Sequence, residues 1–201
     1  MYIIFSDMEE KKRNRNALRS RALLRQAYLE LIKTKKSDQI TVTELVREAG
    51  LNRATFYAHY TCIRDIVEEM QQDVLEKLEK VLKEFEYPKF FENPTQLLLQ
   101  ISIFLGDDEN FYRTMLLYGE AGSFVSKLQD LFFESMMNDA SIPDSTKASK
   151  SFKLRLYYFA GGIVNVYISY FYGRLDCSIY DIPLIVADIV KADFVNNVLS
   201  K

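Results

Sequence analysis

Between Arg15 and Thr34 the apolar residues Leu24, Ala27, Tyr28, Leu31 and Ile32 follow the i, i+3, i+4, i+7, i+8 spacing of one helical face, with arginines opposite. This predicts a first helix of about five turns. The polar run KTKKSDQ interrupts it. TVTE, Thr41 to Glu44, then has the T-x-x-E form in which the threonine hydroxyl accepts from the Glu44 amide while the Glu44 carboxylate reaches back. A second helix starts there. Gly50 is placed to take the left-handed conformation that stops it, and Asn52 is a strong N-cap for a third helix from Arg53. Helix, tight turn, helix is the helix-turn-helix arrangement.

Beyond Tyr60, the residues Ile66, Met70, Val74, Leu78, Val81, Leu82 and Phe85 recur at helical spacing and predict a long fourth helix ending near Tyr87-Pro88, with YPKFFENP as a linker. Gly106, Gly119, Gly122, Pro143, Gly173 and Pro183 punctuate the rest, predicting helices near 94–105, 108–119, 121–138, 147–173 and 181–199. No alternating strand pattern stands out, although YYFAGGIVNVYISYFYG has aromatic and β-branched content that also suits strands. The expected fold is all-α with about nine helices. An arm at 1–14 precedes a three-helix domain at 15–64, with its helix-turn-helix core at 41–60, and a larger helical domain at 65–201.

Charge sharpens this division. Residues 11–64 hold thirteen Lys/Arg against four Asp/Glu, a balance of +9, while residues 65–201 carry −8 and the first ten −3. A basic block on an acidic protein fits a polyanion partner. An anionic membrane surface, or a merely solvated face, gives the same count. The 201 residues, 48% hydrophobic and 27% charged, can bury a real core. No apolar run approaches the ~18 residues of a membrane span, and MYIIFSDM is too short and lacks the basic flank of a secretory signal. A cytoplasmic protein is expected. Cys62 and Cys177 form no CxxC pair, so neither a disulfide framework nor a zinc site is suggested.

The stretch ITVTELVREAGLNRATFYAHY, preceded by LLRQAYLELI, resembles the DNA-binding domain of the tetracycline-repressor (TetR) family of bacterial transcription regulators. Residues 40–60 carry the resemblance: a capped second helix, Ala-Gly, an apolar residue, an N-capping residue, then Thr-apolar-Tyr-x-His-aromatic. It extends more thinly from about Arg15 to Glu76. The resemblance implies double-stranded DNA as partner, with Arg53, Ala54 and Thr55 on the first turn of the third helix against base edges, where an Arg can contact guanine bidentately. Asn52 caps that turn. Thr41 and Thr43 would meet a phosphate at the second helix, Tyr57 would lie on the DNA backbone, and His59 would touch a phosphate, with Phe56 and Tyr60 inward as core.

Each assignment has a plainer alternative. Arg53 would then be a solvated arginine, and the threonines caps alone. His59 is the single histidine, and with cysteines only at 62 and 177 a metal site lacks ligands. No nucleophile with an oriented partner stands near it, so an enzyme is not expected. One departure stands out: where many family members have a phosphate-binding lysine four residues after the histidine, this chain has Ile63, with Arg64 next to it. Arg64 takes over that contact, or phosphate binding rests on the helix amides and on the arm KKRNRNALRSR. That arm reads equally as a minor-groove arm or a solvated tail, and Met8 is an alternative start to Met1.

For the larger domain the resemblance implies a ligand-receiving and dimerising role. FKLRLYYFAGGIVNVYISYFYGRL is apolar around most of its circumference with two glycines in its middle, as in a helix buried on several sides with another backbone close by. Gly161, Gly162, Ile168 and Ile189 are the dimer-interface candidates, in a four-helix bundle across a two-fold axis. The central helix of a monomer core is the alternative. Tyr112, Met115, Tyr118, Tyr158 and Asn165 are the candidate lining of a pocket for a small, mostly apolar or aromatic effector, with Asn165 alternatively a bond across the dimer. No cofactor is expected. The expected function is a ligand-responsive repressor binding a palindromic operator as a homodimer. Its main rival is the same fold without an effector, as an activator or a protein-recruiting factor, and a ligand-sized cavity separates the two. An all-α enzyme or a lipid-surface binder would need features absent from the sequence.

Overall fold

The computed structural model describes residues 2–85, 90, 93–118 and 121–197, with side chains from residue 14 onward except 118, 121 and 193–197. Met1, most of the linker YPKFFENP, Gly119, the end of the last helix and the side chain of Tyr118 lie outside them. The described residues form ten α-helices and a 3-10 turn at Ser37–Gln39, with no strand among them. They are α1 Tyr2–Leu31, α2 Val42–Glu48, α3 Arg53–Tyr57, α4 Ile63–Lys83, α5 Pro94–Gly106, α6 Glu109–Tyr118, α7 Ala121–Asn138, α8 Asp144–Ala148, α9 Lys150–Phe171 and α10 Ile182–Asn197. α8 adds one short helix to those expected. α1 begins at Tyr2, well before Arg15. Residues 2–31 contain neither glycine nor proline and are rich in good helix formers, so nothing in the expected arm interrupts the helix.

The chain divides into two compact units, Met1–Gln72 and Asp73–Lys201. The division falls inside α4 rather than ahead of it, at 64/65. Within the first unit, Leu24 and Tyr28 of α1, Ile32 just after it, Leu45 and Val46 of α2, Phe56, Tyr60, and Ile66 and Met70 of α4 are buried. Glu69 fastens the same end of α4: its carboxylate accepts from Arg21 at 3.1 Å, from Arg25 at 3.1 Å, and from the Tyr60 hydroxyl. Burial, then the Glu69 carboxylate, pushes the Tyr60 phenol up to about 12.

In the second unit α10 packs on α5 and α9, and α9 on α6, α7 and α8. Ser149 caps the start of α9, accepting from the Phe152 amide. Two buried polar side chains tie helices within this apolar core. The Tyr167 hydroxyl donates to the Leu98 carbonyl at 3.0 Å, and the Ser102 hydroxyl, 2.8 Å from the Tyr167 oxygen and 3.0 Å from the Ile179 carbonyl, donates its single proton to one of these two. Hydrogen-bonded in this way, the two hydroxyls fix α5 against α9 at little net cost.

α9 presents two unlike sides. Ile163, Tyr167, Ile168 and Phe171 are buried, whereas Leu154 and Tyr158 are 71% and 73% exposed, with Gly162 and Asn165 also exposed in the same i, i+4, i+8, i+11 stripe. A Cβ at Gly162 would meet nothing within 4 Å, and at Gly161 only the end of Gln129. Among the described residues no second backbone lies within 4 Å of a Cβ added at either glycine. On α10, Leu184, Ile185 and Ile189 are likewise outward. Ile168 therefore stands apart from the other interface candidates, because it points into the core. Periodicity could not separate them, since both sides of α9 are apolar.

Candidate nucleic-acid interface

α2 and α3 are set by local chemistry. The Thr41 hydroxyl accepts from the Glu44 amide at 3.3 Å, while the Glu44 carboxylate accepts from the Thr41 amide at 3.1 Å and hydroxyl at 2.8 Å, and from Lys35. Gly50, at φ 64°, closes α2: its amide donates to the Arg47 carbonyl at 3.2 Å and that of Leu51 to Val46 at 2.8 Å. Asn52 then caps α3, its Oδ1 accepting from the Thr55 amide at 2.8 Å and hydroxyl at 3.0 Å.

This geometry sorts the site residues. Phe56 is fully buried and Tyr60 nearly so, anchoring α3 from beneath. Arg53, Ala54 and Tyr57 face solvent, with Thr55 and His59 half-buried beside them and Thr41 and Thr43 exposed on α2. The Arg53 guanidinium lies over the Tyr57 ring, 6.0 Å from its centroid, and 3.5 Å from its hydroxyl. Because the Thr55 hydroxyl is held by Asn52, what Thr55 can offer a base is chiefly its methyl group. Arg64 is exposed at the start of α4 and pairs with Glu68 at 3.3 Å.

Three features carry no motif that sequence patterns could flag: the Glu69 cluster, the Lys35–Glu44 pair, and the Asp65 carboxylate, which accepts from the Thr61 amide and hydroxyl at 2.6 Å and the Cys62 amide at 3.2 Å. The only hint of the last is an acid three residues after Cys62, at capping-box spacing. These bonds hold the Asp65 carboxyl far below the usual range. At Glu44, the Lys35 bond and then those of Thr41 lower the pKa from 4.5 to about 2. A depressed folded-state pKa gives stability that is complete above about 4.5 and lost as pH falls towards about 2. Thermal melts across that window are expected to show an acid loss that Glu44→Gln, which keeps the capping box but not the charge, reduces, with the share due to Asp65 remaining.

Among the described residues no group of three His, Cys, Asp or Glu could hold a metal, and no helix is long and apolar enough to cross a membrane. Of the effector candidates, Tyr112 lines a cavity of about 80 Å³ in the second unit, together with Val74, Leu78 and Leu82 of α4. Met115 is buried outside that lining. Tyr158, expected as lining, is turned to solvent on the outward stripe of α9, and Asn165 shares that stripe, away from the cavity and on the face that its alternative, a bond across a dimer, requires.

No protein-family model matches the chain. Over 65 residues it is 32% identical to an uncharacterized HTH-type transcriptional regulator, YxbF, of Bacillus subtilis (strain 168), a match spanning 32% of this chain and only 17% of that one. Among solved structures, the dihydroxyacetone kinase operon activator DhaS superposes with a TM-score of 0.57 at 14% identity, covering 88% of this chain and 97% of that one. A TetR transcriptional regulator from Streptococcus agalactiae 2603V gives 0.55 at 16%, covering 90% and 98%. The chain has the fold of these regulators: an N-terminal helix-turn-helix unit followed by a larger helical one.

Proposed function

We propose that this chain is a sequence-specific DNA-binding regulator of transcription, acting in the cytoplasm as a homodimer. The observation that carries the reading is the first turn of α3. Arg53, Ala54 and Tyr57 stand clear of the protein on a helix capped by Asn52 and anchored by buried Phe56, as a major-groove reader needs. Thr41, Thr43, His59 and Arg64 flank it as phosphate contacts that set register without reading sequence. A second copy covers the apolar faces of α9 and α10, where Gly161 and Gly162 leave room for a close backbone. The paired reading heads then meet half-sites about one DNA turn, ~34 Å, apart.

Regulation by a small molecule is the finer part of this proposal. Val74, Leu78 and Leu82 line the cavity from α4, whose first turns, from Ile63, follow directly on the reading head. An occupant that prefers one placement of α4 changes DNA affinity by no more than that preference. A second reading, regulation without an effector, has its own support: about 80 Å³ is well under the roughly 300 Å³ of ordinary ligand pockets. The structurally similar DhaS is by name an operon activator, so the direction of regulation also stays part of the test.

Salt titrations on the DNA flanking its own gene, with random duplex as control, test the DNA reading. Preference of ~10³ or more, with two subunits per site, is the expected result; equal binding to both duplexes refutes specific recognition there. On the preferred site, Arg53→Ala is expected to cost ~1–3 kcal/mol and relax specificity at one base pair. A uniform loss on all sequences would make Arg53 a phosphate contact only.

A further inference from the structure

Arg53 is set apart from the basic residues near it. Lys35 closes on Glu44 and Arg64 on Glu68, whereas among the described residues Arg53 has no acid partner, and the polar and ring contacts of its guanidinium are with Tyr57 alone. The two residues stand four apart on α3, hence on one side of it. The exposed Tyr57 ring is braced by the core: it meets the buried Phe56 ring edge-on, with centroids 5.2 Å apart and planes at 84°. Over that ring the guanidinium lies 6.0 Å from the centroid, and its Nη2 donates to the Tyr57 hydroxyl at 3.5 Å. One N–H is used in this way, which leaves a parallel pair for the O6 and N7 acceptors of guanine. The Tyr57 hydroxyl accepts that bond and keeps its own proton for a DNA phosphate.

We propose that Tyr57 is a positioning residue for base recognition: its ring, braced on Phe56, is a shelf that aims the Arg53 guanidinium at a guanine. An unheld arginine loses much rotamer freedom when it docks on a base edge, and a guanidinium already stacked loses less. Holding it also favours one kind of contact. A phosphate accepts a cation from many directions, whereas guanine needs the planar fork in a single plane, so the shelf raises discrimination between bases more than it raises affinity for DNA at large. The inference rests on the DNA-binding reading above, and the measurements below separate their failures.

Selection from randomised duplexes by the full-length protein, followed by titration with each base pair at the position that Arg53→Ala relaxes, tests it. The unsubstituted chain is expected to prefer guanine there by about 10-fold or more. Tyr57→Leu, which still covers Phe56 but offers no aromatic face, is expected to cut that preference by about two- to fivefold, the worth of an exposed cation–π contact. Tyr57→Phe is expected to restore it while weakening every sequence alike through the lost hydroxyl. An equal loss for Tyr57→Leu on all four base pairs, or a preference lost as fully in Tyr57→Phe as in Tyr57→Leu, overturns the inference. So does an Arg53→Ala chain that relaxes no position, or one where the preferred base is not guanine. A chain that selects no consensus overturns the DNA-binding reading and this inference with it. A consensus whose Arg53-dependent guanine is indifferent to Tyr57→Leu overturns this inference alone.

Discussion

Phe56→Ala is expected to abolish DNA binding on every sequence, not only on the operator. The side chain is fully buried beneath α3 with Leu24, Leu45 and Ile66 in the core of the first unit. Emptying such a site costs ~3–5 kcal/mol, the transfer term plus the cavity left behind, and a unit this small has a margin of comparable size. The connected core of the second unit begins at Val74 and does not include Phe56. Hydrogen exchange should therefore show α2 and α3 unprotected while α9 and its neighbours stay protected, and gel shifts should show no complex. Retained non-specific binding with lost specificity would instead mean that the first unit tolerates the hole and only the aim of α3 has changed.

Charging the outward faces of α9 and α10 is expected to have the second large effect. Tyr158 and Ile185 are 73% and 63% exposed, so Tyr158→Glu with Ile185→Glu removes little from the folded chain itself, where surface changes usually stay within about 0.5 kcal/mol. A second copy would have to bury both carboxylates against apolar neighbours. Sedimentation is expected to show monomer. Operator affinity falls by about 10²- to 10⁴-fold, because the second half-site no longer binds at high effective concentration. An intact dimer carrying both substitutions would move the interface elsewhere. Unchanged operator affinity of a true monomer would remove the paired-head reading altogether.

What the sequence made legible was chemistry completed within a few residues. The Thr41–Glu44 box, the Gly50 stop and the Asn52 cap each need no distant partner, so the helix-turn-helix could be placed from residues 41–60 alone. The helix limits of the second unit followed glycines and prolines in the same way. What needed the third dimension was the facing of helices. α9 is apolar on nearly every side, so Ile168 read as interface, Tyr158 as pocket and Asn165 as either, until packing showed which side is buried. The start of α1 escaped for the opposite reason. After the apolar YIIF, its residues 9–16, EEKKRNRN, hold no apolar position, and a basic polar run reads as an arm unless propensity alone is followed.

The Glu69 cluster also bears on how fast the protein finds DNA. Arg21 and Arg25 close on that carboxylate and Arg64 on Glu68, two acids that the +9 count leaves out, while Lys33 and Lys35 pair with Glu30 and Glu44 inside it. A closed pair is nearly a dipole, and its field fades within about one Debye length, some 10 Å at 0.1 M salt. Long-range attraction to a duplex, and with it the diffusional encounter rate, is governed by a weaker charge than the residue count suggests. In Arg21 and Arg25 the charge acts at short range instead, keeping α1 in place behind the reading head.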